Sequence, residues 1–323
     1  MTLTSFLYRY IIYVGDNMKY MSIKEASEKW GISDSRIRLL CREGRVEGAK
    51  KIGRNWTIPF DVAKPIDGRE RIKKDYSGLE YDFTFIDSLK REIDNHRPFS
   101  KQLVESLQEK LLVEWTYNSN AIEGNTLTIS ETKVVLEGFT IGGKTMVEHL
   151  ETVNHRDAIL YIEDLASNKE SISEWNIRNI HSLILKEIDK ENAGKYRTEN
   201  VLISGANHIP PKHYEIGDLM QELIEEYNNN WKDYHPILRA TLLHGEFVKI
   251  HPFIDGNGRT ARLLLNFELM KNGYTPIIIK NDARAKYYEV LDQAHTTMNY
   301  EPFIKLVAEL VIESEQLWLS VLD

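Results

Sequence analysis

The chain has 323 residues, 42% hydrophobic and 28% charged, with a net charge of −8; this is an ordinary globular composition and excludes collagen-like, low-complexity and membrane-filling classes. A single cysteine, Cys41, excludes an intramolecular disulfide and suits a reducing cytoplasm. The charge is uneven, since residues 19–74 carry 15 Lys and Arg against 8 Asp and Glu, and a basic head on an acidic body predicts two domains with different partners.

Residues 1–20 read as an N-terminal extension. Its apolar run Phe6–Val14 is interrupted by Arg9 and too short to span a bilayer. It lacks a small-residue cleavage site, so neither a membrane anchor nor a signal peptide is expected. Met18 and Met21 are alternative starts.

Residues 21–66 form the head. In SIKEASEKWGISDSRIRLLCREGR, Ile23, Ala26 and Trp30 make one apolar stripe and Gly31 ends the first helix. Ser33 can cap a second helix that turns Ile37, Leu40 and Cys41 inward and leaves Arg36, Arg38, Arg42 and Arg45 outside. VEGAKKIGRNWTIP then reads as a hairpin around Gly53-Arg54-Asn55. Helix, turn, helix and basic hairpin resemble the winged helix-turn-helix of excisionase and MerR-type modules. That resemblance implies DNA binding, with Arg36, Arg38 and Arg42 facing the major groove and Lys50, Lys51 and Arg54 on phosphate. The alternative is a solvated basic face that docks on protein. KPIDGRERIKKDYSG follows, and residues 67–80 are assigned as a linker.

From residue 81 the periodicity is near 3.6, so the body is mainly α. Leu103, Leu107, Leu111 and Trp115 share one face of a helix from about Ser100 that Gly124 can end. Thr128–Glu131 and Thr145–Glu148 are capping boxes that open two further helices. Between them GFTIGGKT, Gly138–Thr145, fits the phosphate-loop pattern G-x-x-x-x-G-K-[ST]. It follows a helix where that motif requires a strand, and no alternation of strands and helices comes after it. The match is read as two glycine turns. His149, His155, His208, His213, His235 and His244 show no zinc-ligand spacing.

HPFIDGNGRTAR, His251–Arg262, lies between two apolar helical runs. A helix beginning near Asn257 offers unpaired N–H groups and a positive dipole end to phosphate. Gly256 and Gly258 allow close approach of backbone to oxygens. Arg259 and Arg262 can grip anions, Asp255 can hold Mg²⁺, and His251 is a general-base residue type.

The same stretch fits HPFx[DE]GNGRxxR, the signature of the Fic family, without departure. The resemblance continues in GKYRTENVLISGANHIPP, similar to the family's flap hairpin, and in GYTPIIIKNDARAKYYEVLDQAH, similar to the segment that closes its nucleotide pocket. SNAIEGN fits the inhibitory motif [ST]xxxE[GN] through Ser119, Glu123 and Gly124. Residues 100–310 share the likeness, in particular to animal endoplasmic-reticulum Fic AMPylases. Two departures are visible: His295 stands where those enzymes have Asn, and the flap is slightly longer.

The implied architecture is a Fic (Fido) helical bundle with a small β-hairpin flap. Helices with the inhibitory motif would fill 81–170, the catalytic domain 171–310 and a helix end 311–323. The implied activity is transfer of AMP from ATP, with Mg²⁺, to a Ser, Thr or Tyr hydroxyl of a target protein or of the chain itself, with His251 as base. Asp255, Gly256, Asn257, Gly258, Arg259, Thr260, Ala261, Arg262, Tyr287 and His295 are assigned to ATP. Val201, Leu202, Ile203 and Ser204 of the flap are counted with that site and would pair with the target as an added strand. The intact Gly258 fits AMP transfer better than phosphate transfer, which resembles DGNK. Glu123 would switch the enzyme off through a bidentate pair with Arg262. De-AMPylation, a DNA-binding regulator with a nucleotide-sensing body, and a homodimer stay open.

Overall fold

The computed structural model describes residues 19–65, 76, 78–79 and 81–322. The N-terminal extension and nearly all of the linker lie outside the described residues. The chain divides into two compact units, one made by the first 74 residues with His213–Glu215 and one by the rest.

In the head, β1 (Tyr20–Ser22) leads into α1 (Ile23–Trp30), whose N-cap Ser22 and Glu25 form a reciprocal capping box. The second helix, α2 (Asp34–Arg42), is capped by Ser33. Two strands, β2 (Lys50–Ile52) and β3 (Asn55–Pro59), pair around Gly53 and Arg54. The sheet order is β1-β3-β2, all antiparallel, with Met21 opposite Ile58. Met21, Ile23, Ala26, Trp30, Ile37, Leu40, Cys41, Val46 and Ile58 make a core of their own. Burial lifts the Cys41 thiol to about 11, which keeps it protonated and unreactive. One expectation fails here: Arg45 is buried rather than exposed. It lies past the end of α2, where its amide turns back onto the Leu40 carbonyl.

The body is helical. Its elements are α3 (Thr84–Asn95), α4 (Lys101–Ile122), α5 (Ile129–Leu136), α6 (Met146–Ser167), α7 (Glu174–Ile184), α8 (Ile216–Glu225), α9 (Pro236–Ile250), α10 (Asn257–Lys271), α11 (Arg284–Thr297) and α12 (Glu301–Leu322). Among the described residues the body has no strand, and no helix is long and apolar enough to cross a membrane. Helices α9 and α10 are buried on nearly every side, which places them at the centre. Leu242, Leu243 and Phe247 of α9 and Leu263, Leu264, Leu265 and Phe267 of α10 belong to one apolar core. That packing fixes the short loop joining these two helices, which carries the HPFIDGNG residues. Helix α12 runs unbroken through residues 310–311, where the sequence reading divides two segments.

GFTIGGKT joins α5 to α6 with no strand before it. Gly138 follows α5, Thr145 caps α6, and the Lys144 ammonium donates to the Thr126 carbonyl (2.5 Å). The flap also differs from a ladder-bonded hairpin. Residues 201–211 turn at Ser204–Gly205, with Ala206 N–H donating to the Ile203 carbonyl (3.3 Å), and no strand pairing joins the two arms. Their polar groups are used elsewhere. Asp292 accepts from the amides of Asn207 and His208, and Arg197 donates to the carbonyls of Glu199 and Pro211.

Candidate active site

Helix α9 ends at His251, which takes φ 51°, a left-handed value uncommon for a residue with a Cβ. The chain turns sharply there and reaches the start of α10 within six residues. Asn257 closes this loop. Its side-chain oxygen accepts from Phe253 N–H (3.0 Å) and its amide donates to the Phe253 carbonyl (2.9 Å). The Asn257 side chain thus clamps the loop, using its oxygen and one of its two amide N–H groups. What stays available to an anion is the first turn of α10, whose leading N–H groups have no intrahelical acceptor. Gly256, at φ 74°, caps that turn, while Thr260 spends its hydroxyl on the Gly256 carbonyl (2.8 Å). Ala261 is fully buried in the core.

An anion from the protein itself already sits at this turn. A Cβ built on Gly258 would stand 2.4 Å from Glu123 Oε1 and 3.1 Å from Arg262 Nη1. Only glycine leaves room for that carboxylate. Glu123 caps the C-terminus of α4, and its Oε1 accepts from Arg262 Nη2 (2.7 Å). The pair is not bidentate as expected, because the guanidinium is shared. Its Nε donates to the Ser119 hydroxyl (3.0 Å) and its Nη2 also to the Ser119 carbonyl (2.7 Å). Arg262 is buried, and its Nη1 closes no hydrogen bond. Arg259 is equally buried and donates to Glu151 (2.9 Å), with Asp255 farther off at 3.5 Å. The Asp255 side chain is itself 70% exposed.

The turn after Glu123 is fastened to α6. Asn125 donates to the Glu148 carbonyl (3.1 Å) and to Glu151 Oε2 (2.9 Å), and Thr126 N–H donates to Glu148 Oε1 (3.0 Å). Bonds from the Thr126 hydroxyl first, then from Thr145 and the Thr126 amide, pull the Glu148 carboxyl down to about 2. The sequence reading assigned Glu148 only as a helix cap and missed this second duty.

Burial, and then the Arg197 charge, lower His251 to about 4, so the imidazole is neutral at pH 7 and able to accept a proton. Arg197 was missed as a site residue. Its Nε donates to the His251 carbonyl (2.9 Å) and its own N–H to the Pro252 carbonyl (2.9 Å). With its two bonds to Glu199 and Pro211 it ties both ends of the 201–211 segment to the loop between α9 and α10. Leu202 on the flap is 81% exposed, while Val201, Ile203 and Ser204 flank it around the turn.

Tyr287 is buried, its hydroxyl bonded to His244 Nε2 (2.7 Å). His295 is buried as well and faces the Gly245 carbonyl (2.9 Å) and the His208 ring. Both rings are packed inside the fold, with His295 already bonded to backbone. His181, absent from the motif, meets the loop directly: its ring lies flat on Phe253 and its Nε2 is 2.9 Å from the Asp255 carbonyl.

The Fic/DOC family model matches residues 171–269. Protein adenylyltransferase Fic of Nematostella vectensis is 41% identical over 200 residues, 59% of this chain and 45% of that protein. The Drosophila willistoni protein of the same name is 37% identical over 205 residues, 63% of this chain and 41% of that protein. The chain thus spans less than half the length of the curated relatives it matches. A solved Fic domain-containing signaling protein of Bacteroides thetaiotaomicron superposes with a TM-score of 0.68 at 30% identity, over 73% of this chain and 97% of that one. Fic-1 of C. elegans gives 0.65 at 30% identity, over 73% and 72%.

Proposed function

The chain belongs to the Fic family, and on that premise we propose that it is a protein adenylyltransferase, transferring AMP from ATP to a hydroxyl of a target protein and held back by Glu123. One observation supports this reading: a carboxylate sits over Gly258 at the start of α10 and accepts from Arg262. A phosphate has the same chemical claim on those donors.

In this reading the α-phosphate of ATP rests against the first-turn amides of α10, which stabilise charge as it builds on the phosphorus oxygens. The neutral His251 takes the proton from the target's hydroxyl. That oxygen forms a bond to the α-phosphorus, the bond to the bridging oxygen breaks, and pyrophosphate leaves with its electron pair. Arg262 would hold the outer phosphate once Glu123 has moved aside. Tyr287 and His295 would border the base. Val201–Ser204 would present the target as an added strand, a role suited to arms that have no strand partner of their own.

Mg²⁺ fits this site. Asp255 offers one exposed carboxylate at the mouth of the loop, and Mg²⁺ is usually held by one or two carboxylates with substrate phosphates supplying the rest. When bound, the metal would screen the charge of the polyphosphate. A single buried thiol suits a reducing compartment, and we assign the protein to the cytoplasm.

A second reading concerns the head, which we assign to DNA. Its support is that Arg38, Arg42, Lys50, Lys51 and Arg54 are exposed, with Arg36 half-buried, on one helix and one hairpin. Such unneutralised cations bind polyphosphate by releasing its counterions.

Intact-mass and peptide mass spectrometry after incubation with ATP and Mg²⁺ test the transferase reading. AMP should appear on the wild type or an added target and be absent with His251→Ala, which still binds ATP. Equal addition by His251→Ala would overturn the assignment.

A further inference from the structure

We propose that His181 is a positioning residue for the catalytic loop, setting the Phe253–Gly256 turn and the root of the flap arm through one neutral imidazole; this rests on the transferase reading above. His181 lies in α7, 70 residues before His251 in sequence, and is 0% exposed. Gly194 N–H donates to its Nδ1 (2.9 Å), so the ring proton is on Nε2 and is donated to the Asp255 carbonyl (2.9 Å). The ring lies at 3.6 Å and 1° on Phe253. A Cβ on Gly256 would stand 3.2 Å from its Cδ2, so the ring also fills the space beneath that left-handed residue.

A histidine that merely fills a core needs one acceptor for its proton. Here every attachment lands on a residue beside the chemistry. Phe253 is two residues from the base, Asp255 carries the exposed carboxylate, and Gly256 caps the anion-binding turn. On the other side Gly194 stands three residues before Arg197, which grips the His251 carbonyl. The imidazole therefore sets the distance between the base, the first amides of α10 and the flap. A shift of about 1 Å among such groups costs on the order of a hundredfold in rate. His181 touches no reacting atom, so it acts through the residues it holds.

The test uses His181→Phe, which keeps a ring for Phe253 but loses both hydrogen bonds, and His181→Gln, which supplies one acceptor and one donor without the ring. Rates are taken per folded protein, with folded fraction from circular dichroism, and hydrogen exchange is followed at residues 194 and 256–258. His181→Phe should lower kcat for AMP transfer about a hundredfold, with the KM for ATP changed far less, and should speed exchange at those amides. His181→Gln should recover at least about a tenth of the wild-type rate, since it restores the bonds that set the geometry. Rates and exchange near wild type in His181→Phe would overturn the proposal. So would a loss in kcat that His181→Gln does not relieve, because that pattern belongs to packing alone. If His181→Phe does not fold, His181→Gln decides: slow exchange at Gly194 with a retained rate supports positioning, and fast exchange with a retained rate overturns it. A wild type that transfers no AMP would end the transferase reading, leaving the exchange comparison to decide whether His181 holds the loop.

Discussion

In the head, Arg38, Arg42, Lys50, Lys51 and Arg54 stand exposed, and among the described residues no carboxylate pairs with them. In the body, Arg259 and Arg262 are buried, and carboxylates from other helices already hold both. An exposed cation keeps its water and costs the fold nothing, so it is ready for a partner's phosphates. A buried cation must be neutralised by the protein itself. Any anionic substrate then competes with that internal partner. The same residue type is thus open in one region and latched in the other.

The largest expected effect breaks the latch. Glu123→Gly removes the carboxylate from the turn above Gly258 and frees Arg262 for phosphate. AMP transfer, including onto the chain itself, should rise on the order of a hundredfold in initial rate. The variant should also lose about 1–3 kcal/mol of stability, because Arg262 stays buried with fewer partners. If the same carboxylate positions water for AMP removal, de-AMPylation falls as transfer rises. Equal initial rates at matched protein and ATP would remove the latch from this account.

The head should respond through salt instead. Its affinity for duplex DNA should fall steeply with ionic strength, about 0.9 in log–log slope for each phosphate contact. Arg36, Arg38 and Arg42 changed together to Glu should abolish retention on DNA while AMP transfer continues at the wild-type rate. A wild type with no salt-sensitive DNA binding would leave the head as a protein-docking domain.

How far each region was legible follows the same division. Capping boxes, the apolar stripe of α1 and the end of α4 at Gly124 could be read directly, because each is a contact within a few residues. Strand β1 could not, since three residues with one buried side chain look like any approach to a helix. The motif located the loop between α9 and α10 and the first turn of α10, where the Glu123 carboxylate sits. It did not disclose Arg197, Glu151 or His181, which reach the loop from 54, 108 and 74 residues away in their hydrogen bonds. Nor did it disclose the two bonds of the Asn257 side chain to Phe253, which depend on a turn that only the packed helices α9 and α10 impose.

Acid separates the two regions once more, by a smaller effect. All ten histidines lie beyond residue 95, and all but His213 belong to the body's unit. Burial lowers His181, His251 and His295 to about 4, and holds His155 and His244 well below the ordinary histidine value too. Their native pKa values lie below the unfolded value near 6.5, so the unfolded chain takes up protons that the native body refuses. Stability of the body should fall from about pH 6.5 towards pH 4. The head's own residues 19–65 contain no histidine. Glu25, lowered by its bonds to Ser22, weakens the head only as pH drops below the ordinary carboxylate range. Hydrogen exchange at pH 7.0 and 5.0 should show body amides losing protection first, and simultaneous loss in both units would contradict this.

The smallest effect concerns Lys144, the lysine of the phosphate-loop pattern. In a true phosphate loop its ammonium would reach the β- and γ-phosphates, and its loss would cost most of the nucleotide affinity. Here the ammonium donates to the Thr126 carbonyl (2.5 Å) and hydroxyl (3.1 Å), with Glu131 at 3.7 Å. It is a latch of the body's internal kind, joining the turn after Glu123 to the loop before α6. Lys144→Ala should therefore leave ATP affinity within about twofold, by isothermal titration with Mg²⁺, and cost only about 1 kcal/mol in urea unfolding. Because Asn125 and Glu148 still hold the turn, basal transfer should change little beside the Glu123→Gly effect. A large loss of ATP affinity in folded Lys144→Ala would mean that this lysine serves phosphate after all, and that the glycine turns around it are more than a coincidence of spelling.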